Sequence, residues 1–262
     1  MSSAPAKRST DPSNEQQAAK KPTPQLPSDP LQAYFTALSI QNDANNDRRE
    51  RLIRLSREVT RQSKKVISLL QRFGSSADDA ALVRQAHEAL VPIRADLKQT
   101  YEEIASAGQD VWRHKSSWSG GVQEYLEAAS FLHWIEHGTL LTLEEAAQDM
   151  AGLPLHLDDY LGGVSDLSGE LMRVCVSAGG TNKAAVAHAT CAFVREMRSH
   201  FVLLAGASRD MSKKVDVMDE SLRKMEQVCF QLRLREAEVF PQMAMTSLAF
   251  VDGEPQANEE TD

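Results

Sequence analysis

Two pairs of carboxylates carry the chemistry that this sequence could do. Glu124 and Glu127 lie in Gln123-Glu-Tyr-Leu-Glu-Ala-Ala-Ser-Phe131, and Asp166 and Glu170 lie in Asp166-Leu-Ser-Gly-Glu-Leu-Met-Arg173. At helical spacing the members of each pair sit one turn apart on a single face. If the four carboxylates met within about 6 Å, each pair would repel by roughly 2–3 kcal/mol at an effective dielectric near 20. Such a cluster needs a proton or a cation. Oxygen-only ligands select Mg²⁺, or Mn²⁺, over zinc, and an ion of that kind activates water and offsets charge on a phosphate. Either pair alone is also what a solvated helix face looks like, and Glu170 to Arg173 is also the spacing of an ordinary surface ion pair.

The elements that must position these acids read as helices. Val164, Leu167, Leu171, Val174 and Ala178 recur at three-four spacing on one side of the Asp166 segment, and Val122, Tyr125, Leu126, Ala129, Leu132 and Ile135 do so around Glu124. Gly169, mid-helix between two acids, is unfavourable by about 1 kcal/mol relative to alanine, and the like charges at i,i+4 add a few tenths, which leads us to expect a close neighbour and a cation there. Asp29-Pro30 opens a long segment to Phe73, with Asn42–Asp47 as a candidate interruption. A second runs from about Ala77 to Ala107, kinked or divided at Pro92 and closed by Gly108. The Glu124 helix follows Gly120-Gly121 and ends at Gly138, and Thr142-Leu-Glu-Glu145 is a capping box. Asp158 or Asp159 is expected to cap the Asp166 helix, Thr181 the next, and the last helix to run from Ser208 to before Pro241. No alternating strand pattern occurs. The fold class is all-α, a single-domain bundle of about seven helices over 30–245. Tails at 1–29 and 246–262 are expected to be disordered: the first holds five of the ten prolines, the second is acidic.

The 262 residues carry a net charge of −8, which argues against generic nucleic-acid binding. The charge is uneven, however. Residues 48–72 hold nine basic side chains against Glu50 and Glu58, and Arg54, Arg57, Arg61 and Lys64/Lys65 share a helical stripe suited to a phosphate backbone. The same stripe also reads as a solvated face. Cys175, Cys191 and Cys229 have no metal spacing and read as buried free thiols in a reducing compartment. No run of eighteen apolar residues exists, so no membrane span and no membrane partner are expected, and the N-terminus lacks the apolar segment of a secretory signal. Lys7-Arg8 and Lys20-Lys21 are a minimal basic pattern for nuclear import. His133-Trp-Ile-Glu-His137 matches a zinc-peptidase pattern but needs a distant third ligand. Trp112, Trp118 and Trp134 are either core or a base-stacking platform.

The segments Arg51–Lys65, Gln123–Phe131 and Asp159–Arg173, with Ser212-Lys-Lys214 and the Val228–Arg235 region, resemble the translin-associated factor X branch of the translin family over about residues 31–242. The Asp-Leu-Ser-Gly-Glu-Leu-Met-Arg motif separates that branch from translin itself, whose matching helices lack the full acidic set. The link from Leu143 to Leu157 departs from animal relatives in being shorter, nearer to translin. The resemblance implies a helical subunit of a hollow, octameric hetero-oligomer with translin. It implies a Mg²⁺-dependent endoribonuclease cutting small single-stranded or nicked RNA, including passenger strands in RNA silencing and tRNA processing fragments. It also implies affinity for single-stranded DNA and residence in cytoplasm and nucleus. The family's acidic ligands fall on Glu124, Glu127, Asp166 and Glu170. Arg173, with Arg54, Arg57, Arg61 and Lys65, would position phosphate. The alternative is a non-catalytic nucleic-acid-binding and scaffolding partner of translin.

Overall fold

Helix ends show how local chemistry sets the architecture in this computed structural model, which describes residues 29–74, 76, 78–106, 111–181, 183–206 and 208–249. Seven α-helices and two short 3-10 turns account for the described residues, with no strand among them. The helices are α1 Pro30–Leu70, α2 Asp79–Ala105, α3 Lys115–His137, α4 Leu143–Asp149, α5 Leu157–Gly180, α6 Ala184–Phe201 and α7 Arg209–Ala249. The all-α expectation therefore holds.

Several predicted boundaries hold as well. The Thr142 hydroxyl and the Glu145 carboxylate exchange hydrogen bonds with each other's backbone N–H and start α4. Gly138 takes the left-handed conformation (φ 70°) that ends α3. The Ser208 hydroxyl accepts from Met211 N–H at the start of α7.

Others differ. His156, not Asp158 or Asp159, caps α5, its Nδ1 accepting from Asp158 N–H at 3.2 Å. Asp159 is instead drawn into the core, where Ser119 and Gln123 donate to it. Thr181 closes α5 rather than opening α6, because its N–H donates back to the Ser177 and Ala178 carbonyls. α2 runs unbroken through Pro92: the proline and Glu88, whose carbonyl loses its partner, are both exposed, while Leu90, Ile93 and Leu97 stay buried. α1 is continuous across Asn42–Asp47, whose low helix propensity is worth only tenths of a kcal/mol per residue. α3 begins before Gly120-Gly121, at Lys115. α7 continues through Pro241 to Ala249, since the Gln, Met, Ala and Leu that follow are good helix formers. It thereby reaches into the stretch expected as a disordered tail. Residues 1–28 and 250–262, Ala77 and Gly108 lie outside the described residues.

Contacts divide the chain into two units within α1, one ending at Asn45 and one beginning at Asn46. In the first, the Asp29 carboxylate accepts from Leu31 N–H to cap α1, and Leu31, Tyr34, Phe35 and Leu38 are exposed. In the second, α5 is the central helix and packs on α3, α6 and α7, with α2 against α3. No described helix is long and apolar enough to cross a membrane. The three cysteines are free and buried, as expected. The fold brings two of them to one carbonyl, that of Ala187, which accepts from Cys175 at 3.4 Å and Cys229 at 3.5 Å. Burial pushes the Cys191 thiol up to about 11, which removes its reactivity.

Candidate functional site

Two glycines set the distances at which α3 meets its neighbours. A side-chain carbon at Gly121 would lie 2.8 Å from the backbone oxygen of Ser56 on α1, and the Gly121 N–H donates to the Ser56 hydroxyl at 3.0 Å. A side-chain carbon at Gly163 on α5 would lie 2.6 Å from the Gln123 carbonyl oxygen and 2.7 Å from Leu126 Cβ. No larger residue permits that crossing. On α5, Asp166 and Glu170 follow Gly163 at i+3 and i+7, on the same face. On α3, Glu127 follows Gln123 by one turn. The close crossing thus aims both acidic pairs at one place.

That place is a cleft of about 480 Å³ lined by Glu124, Glu127, Asp166 and Glu170 together, with Lys64 of α1, Gln71 in the turn after it, Gly169 and Arg173 of α5 and Val217 of α7. Gly169 does not meet the expected close neighbour: nothing lies within 4 Å of where its side chain would be, and it faces open cleft instead.

Three of the four acids have cationic or amide partners. Lys64 Nζ is 3.2 Å from Glu124 Oε1. Lys214 Nζ, from α7, donates to Asp166 Oδ1. Gln71 Nε2 donates to Glu170, which also lies 3.6 Å from Arg173 Nε. Among the described residues, no hydrogen bond or ion pair reaches Glu127. Burial, then the charges of Asp166, Glu170 and Glu124, push its carboxyl up to about 8, with Lys64 opposing. An acid held there takes up either a proton or a cation. As placed, no three His, Cys, Asp or Glu side chains among the described residues converge closely enough to share one ion. The donor set nonetheless fits a hard dication in chemistry: four carboxylates from two helices, one of them unmatched, with no sulfur or imidazole lining the cleft. To bind one, Glu124 and Asp166 must exchange their lysines for it.

The basic stripe reaches this cleft. Arg54, Arg57, Arg61, Lys64 and Lys65 are all exposed on α1, and Lys64 and Ser68 at its far end line the cleft. Arg61 is occupied, its guanidinium donating to Glu58, which that bond holds down at about 2. Sequence reasoning missed Lys214 and Gln71 as cleft residues. Lys214 stood only among residues that carry a resemblance, and the cleft exists only once α7 packs beside α5.

The other constellations resolve differently. Trp118 and Trp134 are buried in the core and Trp112 packs on Trp118 and His156, so the three form no platform. His133 meets Thr139 at 3.0 Å, His137 meets the His133 carbonyl at 3.1 Å and Glu136 meets His87 at 2.9 Å. No third metal ligand joins the two histidines among the described residues.

Residues 47–236 match the Translin family. The chain belongs to this family. Translin-associated protein X of mouse is 30% identical over 238 residues, covering 81% of each chain. The fission yeast homolog of that protein is 31% identical over 210 residues, covering 77% of this chain and 88% of its own. Human translin is more distant, 23% identical over 202 residues, with 73% and 88% covered. Among solved structures, apo NeC3PO superposes with a TM-score of 0.63 at 16% identity, covering 80% of this chain and all of its own. AfC3PO in complex with duplex RNA superposes with a TM-score of 0.58 at 16% identity, covering 77% and 97%. At such identities these structures speak for the translin-type fold alone.

Proposed function

We propose that this chain is the catalytic subunit of a hetero-oligomer with translin that cleaves small single-stranded or nicked RNA. The observation that carries the reading is the meeting of two acidic pairs, from α3 and α5, in a single cleft at the end of a basic stripe. Glu124, Glu127, Asp166 and Glu170 are the residues that would hold Mg²⁺ or Mn²⁺. Such an ion, when bound, supplies a Lewis acid that activates water and stabilises charge on a scissile phosphate. The chain's own groups do the rest. Arg173, exposed at the cleft, and Arg54, Arg57 and Lys65 along α1 hold the phosphate backbone without reading sequence. Gly169 leaves the cleft floor open for substrate. The partnership is supported by the likeness to proteins named for association with translin, and RNA as substrate class by the duplex-RNA complex of a structural neighbour.

A second reading has one observation in its favour: Lys64 and Lys214 already neutralise Glu124 and Asp166, as in a purely structural ion network. In that case the subunit binds nucleic acid and translin without cutting. The two readings separate in a Glu124→Ala/Glu127→Ala/Asp166→Ala variant co-expressed with the partner and assayed on a short single-stranded RNA in Mg²⁺. The proposal expects cleavage to fall by at least about a thousandfold, with RNA affinity within a few-fold of native. Retained cleavage sinks the catalytic assignment.

A further inference from the structure

Lys213 and Lys214 are neighbours with opposite surroundings. Lys213 is exposed and pairs with Asp210 at 3.3 Å in the first turns of α7. Lys214 turns inward, is 30% exposed and donates to Asp166 Oδ1. Val217, one turn further along α7, lines the same cleft. α7 therefore forms one wall of the acidic cleft and delivers to it a single positive charge. Lys64 does the corresponding thing for Glu124 from α1, but at 64% exposure its charge is largely met by water. The Lys214 ammonium is the less screened of the two.

Resting on the reading that the cleft binds a divalent cation, we propose that Lys214 is a positioning residue with two states. Without the cation its ammonium is the counter-ion of Asp166. When the cation arrives, the lysine is displaced from that carboxylate and its charge turns to the phosphate of the RNA. The physical reason is that an ammonium and a dication on one carboxylate repel each other at short range, so the cation weakens the lysine's hold on Asp166 and the lysine weakens the cation's. The lysine stem is four carbons long and flexible, so its charge moves without any shift of α7. A displaced ammonium at the cleft is a point charge of the kind that engages phosphate. Lys214 thus opposes cation binding and favours substrate binding, and the two effects of removing it have opposite signs.

The test uses the full chain co-expressed with its translin partner, with Mn²⁺ as the probe. Free Mn²⁺ is read by electron paramagnetic resonance at low ionic strength, and a Glu127→Gln assembly gives the level of binding outside the cleft. We expect Lys214→Gln and Lys214→Met, the latter keeping the apolar stem, to bind Mn²⁺ about tenfold more tightly than native. Cleavage at saturating Mn²⁺ should fall about tenfold or more. Lys214→Arg should hold the native affinity within about threefold. Native Mn²⁺ affinity in Lys214→Gln and Lys214→Met, alongside loss of binding in Glu127→Gln, overturns the inference and leaves the metal reading standing. A native assembly that binds no more Mn²⁺ than Glu127→Gln overturns both. Failure of both neutral variants to assemble makes the Lys214–Asp166 contact a requirement of the fold, and that also overturns the inference.

Discussion

α3 carries two ionic clusters on different faces, and they are built on opposite terms. On one, Arg94 donates to both carboxylate oxygens of Asp149, at 2.6 and 3.0 Å, and the Tyr125 hydroxyl donates to the same group. Every charge there has a partner. Burial and the Asp149 charge hold Tyr125 well above the ordinary phenol range, and the bond to Asp149 holds Arg94 up. On the other face, Glu124, Glu127, Asp166 and Glu170 share one cleft, and the three acids around Glu127 outweigh the opposing charge of Lys64. The matched cluster joins α2, α3 and α4 and asks for nothing further. The unmatched one is incomplete without a proton or an added cation, and that incompleteness points to function rather than to support of the fold.

The comparison breaks most visibly by mutation of its two halves. Asp149→Asn leaves Arg94 half-buried without its carboxylate and should destabilise the subunit by about 3 kcal/mol, read from urea unfolding midpoints. Glu127→Gln puts a neutral group where the acid must take up a proton, and should leave the midpoint unchanged or higher. Equal losses in the two would erase the distinction between them.

A smaller effect separates the glycines. Gly163→Ala forces a methyl into the Gln123 carbonyl and Leu126, and should destabilise by about 2 kcal/mol as α3 and α5 move apart. Gly169→Ala meets nothing within 4 Å and should stabilise the helix by up to about 1 kcal/mol. Thermal denaturation of the two variants checks the sign of each.

Those glycines also mark where sequence reading stops. Apolar spacing sufficed to find the α3 and α5 core faces, and capping chemistry to find Thr142 and Gly138, because both signals are local. The acidic pairs were legible for the same reason: one turn separates their members. That the pairs meet was not a local property. It depends on Gly163 admitting the Gln123 backbone, and one Gly-Gly inside a helix does not say which neighbour it admits. Gly169 was assigned the close contact that Gly163 in fact makes. His156 displaced Asp158 and Asp159 as the cap of α5 because Asp159 was claimed by Ser119 and Gln123, partners remote in sequence. Lys214 and Gln71 stayed hidden because each reaches the cleft from a segment distant along the chain.

The pH dependence of the cleft is the most diagnostic effect. Glu127 is held at about 8 in the folded chain against an ordinary 4.5. Between those values the folded state keeps a proton that the unfolded state has lost, so stability falls as pH rises, by at most about 1.4 kcal/mol per pH unit. Below that window the contribution is fully present, and above it the loss is complete. The direct measurement is the ¹³C carboxyl resonance of Glu127, titrated by NMR in the assembly with and without Mg²⁺. The account predicts a midpoint near 8 without the ion and a carboxylate ionised throughout the neutral range with it. A midpoint near 4.5 without Mg²⁺, or one near 8 that Mg²⁺ does not move, would contradict it.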